Sequence, residues 1–156
     1  MLALGCDHGG YPLMLEVIKY LEDNKKELIV VGVECNHEGN RRLIEYSPIT
    51  YQNSEHGKIK GKGSITMNWL VRNLKPYVDK EYRTLPDRKN TIIAGSSMGG
   101  LMALYGGTVY NHVFQRAACL SPSLWVSSGK VLEMVARASV SLPHTPTRLC
   151  RHLPSS

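Results

Sequence analysis

The amino-acid sequence predicts an α/β domain of three layers, with a mostly parallel sheet between two layers of helices. Three observations predict it. Short, β-branched apolar runs occur at Leu28 to Val33 and Thr91 to Ala94. Segments with helical spacing of apolar residues alternate with such runs, which is the signature of strand–helix–strand crossovers. The 156 residues, 42% hydrophobic and 21% charged, fit one domain with a single core.

In chain order, Leu2 to Gly5 is a short apolar run ending at glycine, and Leu13, Val17, Ile18 and Leu21 follow at helical spacing. That is a strand, a glycine turn and an amphipathic helix, with Pro12 in the first turn and Asp23-Asn24 at the other end. Leu28 to Val33 has no alternation, so it reads as a strand covered on both faces. Residues 34–63 are polar and broken by Gly39, Pro48, Gly57, Gly61 and Gly63, which predicts one long loop. Ser64 is placed to cap a helix carrying Ile65, Trp69, Leu70, Leu74 and Tyr77, with Pro76 bending it near its end. Thr91 to Ala94 is a second buried strand. It leads through Gly95 to Gly100 into a helix marked by Leu101, Leu104, Tyr105 and Val109. Arg116 to Leu120 is a further strand, and Val131 to Val140 a last helix. Residues 1–140 thus form one α/β domain, and 141–156, without periodicity, form an unpacked tail.

Composition excludes several classes. The longest apolar run is strand-sized, far short of the roughly 18 residues of a membrane span. The N-terminus lacks a basic region ahead of an apolar stretch, so a cytoplasmic location is expected. The net charge of +6 is not organised as a basic stripe with interleaved aromatics, which argues against nucleic acid. Cys6, Cys35, Cys119 and Cys150 are scattered and form no metal-binding pair, and His37 and His56 match no zinc spacing. No metal and no cofactor are expected.

The sharpest motif is Gly95-Ser96-Ser97-Met98-Gly99, set between a strand and a helix. A nucleophilic serine held on a strained strand-to-helix turn needs small residues two positions to either side. Ser97 is therefore the candidate nucleophile. The Met98 backbone N–H, at the helix start, would stabilise a tetrahedral oxyanion. A second donor is expected from the loop after the first strand, with the Gly10 or Tyr11 N–H as the candidate. Downstream of Ser97 the carboxylate is Glu133 and the histidines are His112, His144 and His152. Glu133 falls in a helical pattern, whereas the acid belongs in a loop after a further strand, and no such strand is visible. Arg41 and Arg42 are candidates to hold a substrate carboxylate or to fix their loop.

From residue 26 to 126 the chain resembles the esterase family of α/β-hydrolases that includes enterochelin-esterase-like and esterase-D-like proteins. The resemblance rests on Ile29 to Val33, Arg41-Arg42-Leu-Ile-Glu45-Tyr46-Ser-Pro48, Leu74-Lys-Pro76-Tyr77-Val-Asp79 with Tyr82-Arg83-Thr84, Ala94 to Leu101, and Leu120-Ser-Pro-Ser-Leu-Trp125. It implies an α/β-hydrolase fold, a small-molecule ester substrate and a serine mechanism through Ser97. The family's later acid-bearing strand and His-bearing loop are not matched, so the fold is expected to be incomplete and the activity impaired. Unpaired sheet edges would then favour self-association. Residues 1–24, Met1-Leu-Ala-Leu-Gly-Cys-Asp-His-Gly-Gly-Tyr11 with Glu16 to Glu22, resemble instead the start of a type B ribose-5-phosphate isomerase. That likeness implies sugar-phosphate binding through Asp7 and His8, and together the two imply a chimaeric or truncated chain. The alternatives to an esterase are an isomerase fragment and a non-catalytic binding module.

Overall fold

The computed structural model describes residues 2–5, 15, 16, 19, 20, 23, 28–126, 128–140 and 149–150. Strand β1 (Leu2–Gly5) is followed by helical residues at 15, 16, 19, 20 and 23, and then by β2 (Val30–Val33). Next come α1 (Arg41–Glu45) and an antiparallel hairpin of β3 (Tyr51–Asn53) and β4 (Gly57–Ile59). A long helical stretch comprises α2 (Gly63–Trp69), a π-helical turn (Leu70–Leu74) and α3 (Lys75–Glu81). Strand β5 (Ile92–Ser96) leads into α4 (Met98–Val109), and β6 (Arg116–Leu120), α5 (Ser128–Val140) and β7 (Leu149–Cys150) complete the order.

The main sheet has the order β2-β1-β5-β6-β7 with every pair parallel. The chain passes from β1 outward to β2, then crosses back to place β5 on the other side of β1. The direction of winding reverses between β1 and β5. In open parallel sheets, ligand sites form at the carboxyl ends of the strands at such a reversal, and β5 ends there at Ser96. In register, Gly5 at the end of β1 lies opposite Gly95.

Helix α4 is the centre of the core. Leu101, Met98 and Ala103 are fully buried, and Met102, Leu104 and the helix's glycines are buried beside them. A helix apolar on all sides must be covered on all sides. A Cβ on Gly106 would stand 2.8 Å from the Ile93 side chain and 3.1 Å from that of Met67. Small residues there let α4 lie on β5 with α2 alongside, on the same face of the sheet. Consecutive Ile93 and Ala94 point to opposite faces of β5, and both are buried. The two-sided cover expected of the Thr91 strand is met.

Four sequence expectations need correction. Residues 34–63 are not one loop but contain α1 and the β3–β4 hairpin. They are held by long-range bonds: Lys62 N–H to Ile44 O at 2.7 Å, Gly63 N–H to Ser47 O at 2.8 Å and Thr66 Oγ1 to Glu45 O at 2.9 Å. Ser64 does not cap α2; the helix starts at Gly63 after Lys62, without a side-chain cap. Strand β2 is only partly buried rather than covered on both faces, and among the described strands it is also an edge. Within the stretch expected to be an unpacked tail, Leu149–Cys150 pairs with Ala117 and Ala118, supplying the further strand that the sequence pattern did not show. Pro76 lacks the N–H that would bond to Arg72 O, and the helix accommodates it by widening first: the Lys75 N–H reaches back five residues to Leu70 O.

Candidate active site

Ser97 sits between the last residue of β5 and the first of α4, with φ 55° and ψ −119°. A positive φ at a residue with a side chain is strained. It is held by bonds on both sides: the Ser97 N–H donates to Leu120 O at 3.0 Å, and Ser97 O accepts from Leu101 N–H and Ser123 N–H, each at 3.0 Å. Gly95 makes the turn sterically feasible, because a Cβ there would lie 2.3 Å from Gly99 O and 2.4 Å from Gly99 C. Met98, as the first residue of α4, has an N–H in the turn whose donors lack intrahelical acceptors. An oxyanion at Ser97 would meet that donor and the positive end of a 12-residue helix.

The Ser97 hydroxyl has a partner that sequence reasoning missed. Ser97 Oγ and Ser123 Oγ are 3.2 Å apart, and Ser123 is 2% exposed. Two residues further on, Trp125 is largely exposed and meets buried Tyr51 edge to face, with ring centroids 6.2 Å apart. Burial pushes the Tyr51 hydroxyl above its ordinary value, and the Arg42 charge partly opposes the rise. The Tyr51 hydroxyl is buried without a hydrogen-bond partner among the described residues. Arg42 therefore lies close enough to Tyr51 for its charge to act on that hydroxyl. Arg41 turns outward towards Glu38, at 3.7 Å, with both side chains mostly exposed.

The carboxylate and the first histidine downstream of Ser97 lie elsewhere. Helix α4 runs about 18 Å from the elbow to the opposite edge of the sheet, and His112 stacks on Tyr110 just beyond its far end. Glu133 pairs with Arg137 at 2.5 Å beside Thr108, Val109 and Asn111 at that same far end. Neither can act on Ser97. His37 pairs with Glu34 at 2.9 Å on an exposed loop beyond β2, two strands from β5. Cys119, next to Gly95 in register, is no rival nucleophile, since burial pushes its thiol up to about 11 and keeps it protonated. Asp7, His8, Gly10, His144 and His152 lie outside the described residues. Among the described residues no three His, Cys, Asp or Glu side chains converge as a metal site, and no helix is long and apolar enough to cross a membrane.

An α/β fold with a parallel sheet, a reversal of winding and a strained serine at that point defines a class, the α/β-hydrolases. Residues 16–148 match the family described as "Putative esterase", and the chain belongs to it. The matched residues include 16–24, which the isomerase likeness had claimed. The Iron(III) salmochelin esterase of Escherichia coli O6:H1 (strain CFT073) is 32% identical over 91 residues, 55% of this chain and 22% of that protein. Among solved structures, the fold is similar to the siderophore hydrolase EstA of Aspergillus nidulans, with a TM-score of 0.73, 18% identity, 95% of this chain and 54% of that one. It is also similar to the IroE-like serine hydrolase of Shewanella oneidensis, with a TM-score of 0.73, 20% identity, 90% of this chain and 46% of that one. The BES protein of Bacillus cereus gives a TM-score of 0.71 at 21% identity, over 90% of this chain and 55% of that one. The chain therefore spans about half of these structures and about a fifth of the curated relative.

Proposed function

We propose that this chain is a serine hydrolase of carboxylic esters. Ser97 Oγ attacks the ester carbonyl, and the Met98 N–H with the α4 dipole holds the oxyanion of the tetrahedral intermediate. Collapse expels the alcohol and leaves an acyl group on Ser97, which water then removes. The observation that carries the reading is the serine at φ 55° between β5 and the buried α4. A structural turn at this point would be better served by glycine, so strain spent on a hydroxyl-bearing residue fits chemistry. The loop that follows β1 starts beside β5, which supports Gly10 as second oxyanion donor.

With His112 and Glu133 placed at the far end of α4, the downstream candidates for the base are His144 and His152. The salmochelin esterase and siderophore hydrolases among the relatives make siderophore esters the first substrates to assay.

A fluorophosphonate probe tests the reading. Stoichiometric labelling on the peptide containing Ser97, abolished in Ser97→Ala, is the expected result. An unlabelled native protein would overturn it. The second reading is a binding module without turnover, with Arg42 beside buried Tyr51 as its candidate contact. Its mark is carboxylate binding that is lost in Arg42→Ala while no labelling occurs. Self-association through the edge of β2 is expected as well, and a concentration-independent sedimentation coefficient would refute it.

A further inference from the structure

We propose that Ser123 is a positioning residue for the nucleophile, donating a hydrogen bond to Ser97 Oγ through the reaction. The inference rests on the hydrolase reading and adds to it a residue 26 positions away from the elbow.

Three independent features of the 120–123 segment converge on seating this hydroxyl. The segment is bonded to Ser97 at two points of the backbone, Leu120 O with Ser97 N–H and Ser123 N–H with Ser97 O, both at 3.0 Å. Ser121 adopts φ 41°, the second residue with a side chain at positive φ among those described. Gly100 opens the space that the segment occupies: a Cβ there would stand 2.8 Å from Leu120 O and 3.0 Å from Pro122 Cα. Strain and close approach are thus concentrated where they bring one buried hydroxyl to 3.2 Å from another.

The chemistry of two serines fits this role. A hydroxyl has one proton to donate and two lone pairs to accept with. Ser97 can give its proton to a base while accepting from Ser123, and the two bonds do not compete. As that proton leaves, charge grows on Ser97 Oγ, and a hydrogen bond donated to a charged oxygen is stronger than one to a neutral oxygen. The Ser123 N–H bond to Ser97 O fixes the backbone that carries the Ser123 side chain, and burial limits where its hydroxyl can turn, so little reorganisation is spent at the moment of attack. No proton is transferred to or from Ser123, which keeps its O–H throughout.

The test measures fluorophosphonate inactivation as a first-order rate constant and a half-saturating probe concentration, in the native chain, Ser97→Ala, Ser123→Ala and Ser123→Cys. Expected for Ser123→Ala is a drop of about tenfold in the rate constant, with half-saturation unchanged, as one lost hydrogen bond implies. Ser123→Cys, a weak donor of similar size, should fall between. Retention of a cooperative thermal transition separates this from collapse of the pocket, which would move half-saturation too. If Ser123→Ala does not fold, Ser123→Cys alone decides, and a native rate constant in it overturns the proposal. A native rate constant in a folded Ser123→Ala likewise overturns the positioning role and leaves the hydrolase reading standing. Absence of labelling in the native chain overturns both.

Discussion

Replacing Ser97 by glycine and, separately, by alanine isolates the strain at the elbow. Both variants remove the hydroxyl and its contact with Ser123 Oγ, so that loss cancels between them. What remains is the cost of a Cβ at φ 55° and ψ −119°. Strained backbone of this kind costs about 1–3 kcal/mol at a residue with a side chain. Against it stands the larger entropy that glycine loses on folding, about 0.5–1 kcal/mol relative to alanine. The difference favours Ser97→Gly over Ser97→Ala by about 1 kcal/mol, or about 2–4 °C in a chain of this size. Thermal unfolding followed by circular dichroism, with both proteins in one buffer, measures it. At ordinary backbone angles the order is the reverse, alanine above glycine. If Ser97→Ala melts at or above Ser97→Gly, the elbow is not strained and the reasoning that links strain to a catalytic serine fails.

Gly95→Ala drives a methyl into the Gly99 backbone at 2.3–2.4 Å, and backbone cannot swing aside. Overpacking against fixed atoms puts the cost near the top of the usual range, about 3 kcal/mol, or about 6–12 °C in the same melt; a loss under 2 °C would contradict the geometry. Tyr51→Phe removes a buried hydroxyl with no hydrogen-bond partner among the described residues, so the variant should match the native stability or exceed it by up to about 1 kcal/mol, about 2–4 °C in melting temperature. A clear loss of stability would show that the hydroxyl is satisfied. Alkali should destabilise the fold through Cys119, whose thiol is pushed by burial from 9.0 to about 11. The folded state holds the proton more tightly than the unfolded chain, so this contribution is complete below pH 9.0 and is lost as pH rises through about 11. Tyr105, raised to about 12 by burial and by Tyr110, acts in the same direction at higher pH. Denaturant midpoints at pH 8 and 10.5 should show a smaller alkaline loss in Cys119→Ala than in the native chain; equal losses would remove Cys119 as a cause.

The elements legible in the sequence are those whose pattern is contiguous. Ile92–Ser96 and Met98–Val109 announce themselves as an apolar run, a glycine turn and a helix, and the elbow lies where the two meet. The β3–β4 hairpin and α1 span three to five residues each, too few for periodicity to register. They exist because Tyr51 packs on Trp125 and because the backbone around Lys62 and Gly63 bonds to Ile44 and Ser47. The edge position of β2 was illegible for a related reason: an apolar run tells that a strand is wanted, not how many neighbours it will have. The two residues of β7 are defined by pairing with β6 alone.

By itself the sequence determined that this is a parallel α/β protein, that its esterase-like motifs converge on Ser97, and that Met98 starts the helix behind it. Those features depend on residues adjacent along the chain, where covalent geometry and local propensity set the outcome. Only the tertiary structure decided which distant groups meet that serine. It brought Ser123 to Ser97, and it carried His112 and Glu133 to the far end of α4. The physical reason is that a parallel sheet gathers the carboxyl ends of strands far apart in sequence on one edge, while each following helix carries the chain away to the other. Which residues share an edge is therefore a property of strand order and register, and neither is written in any one segment.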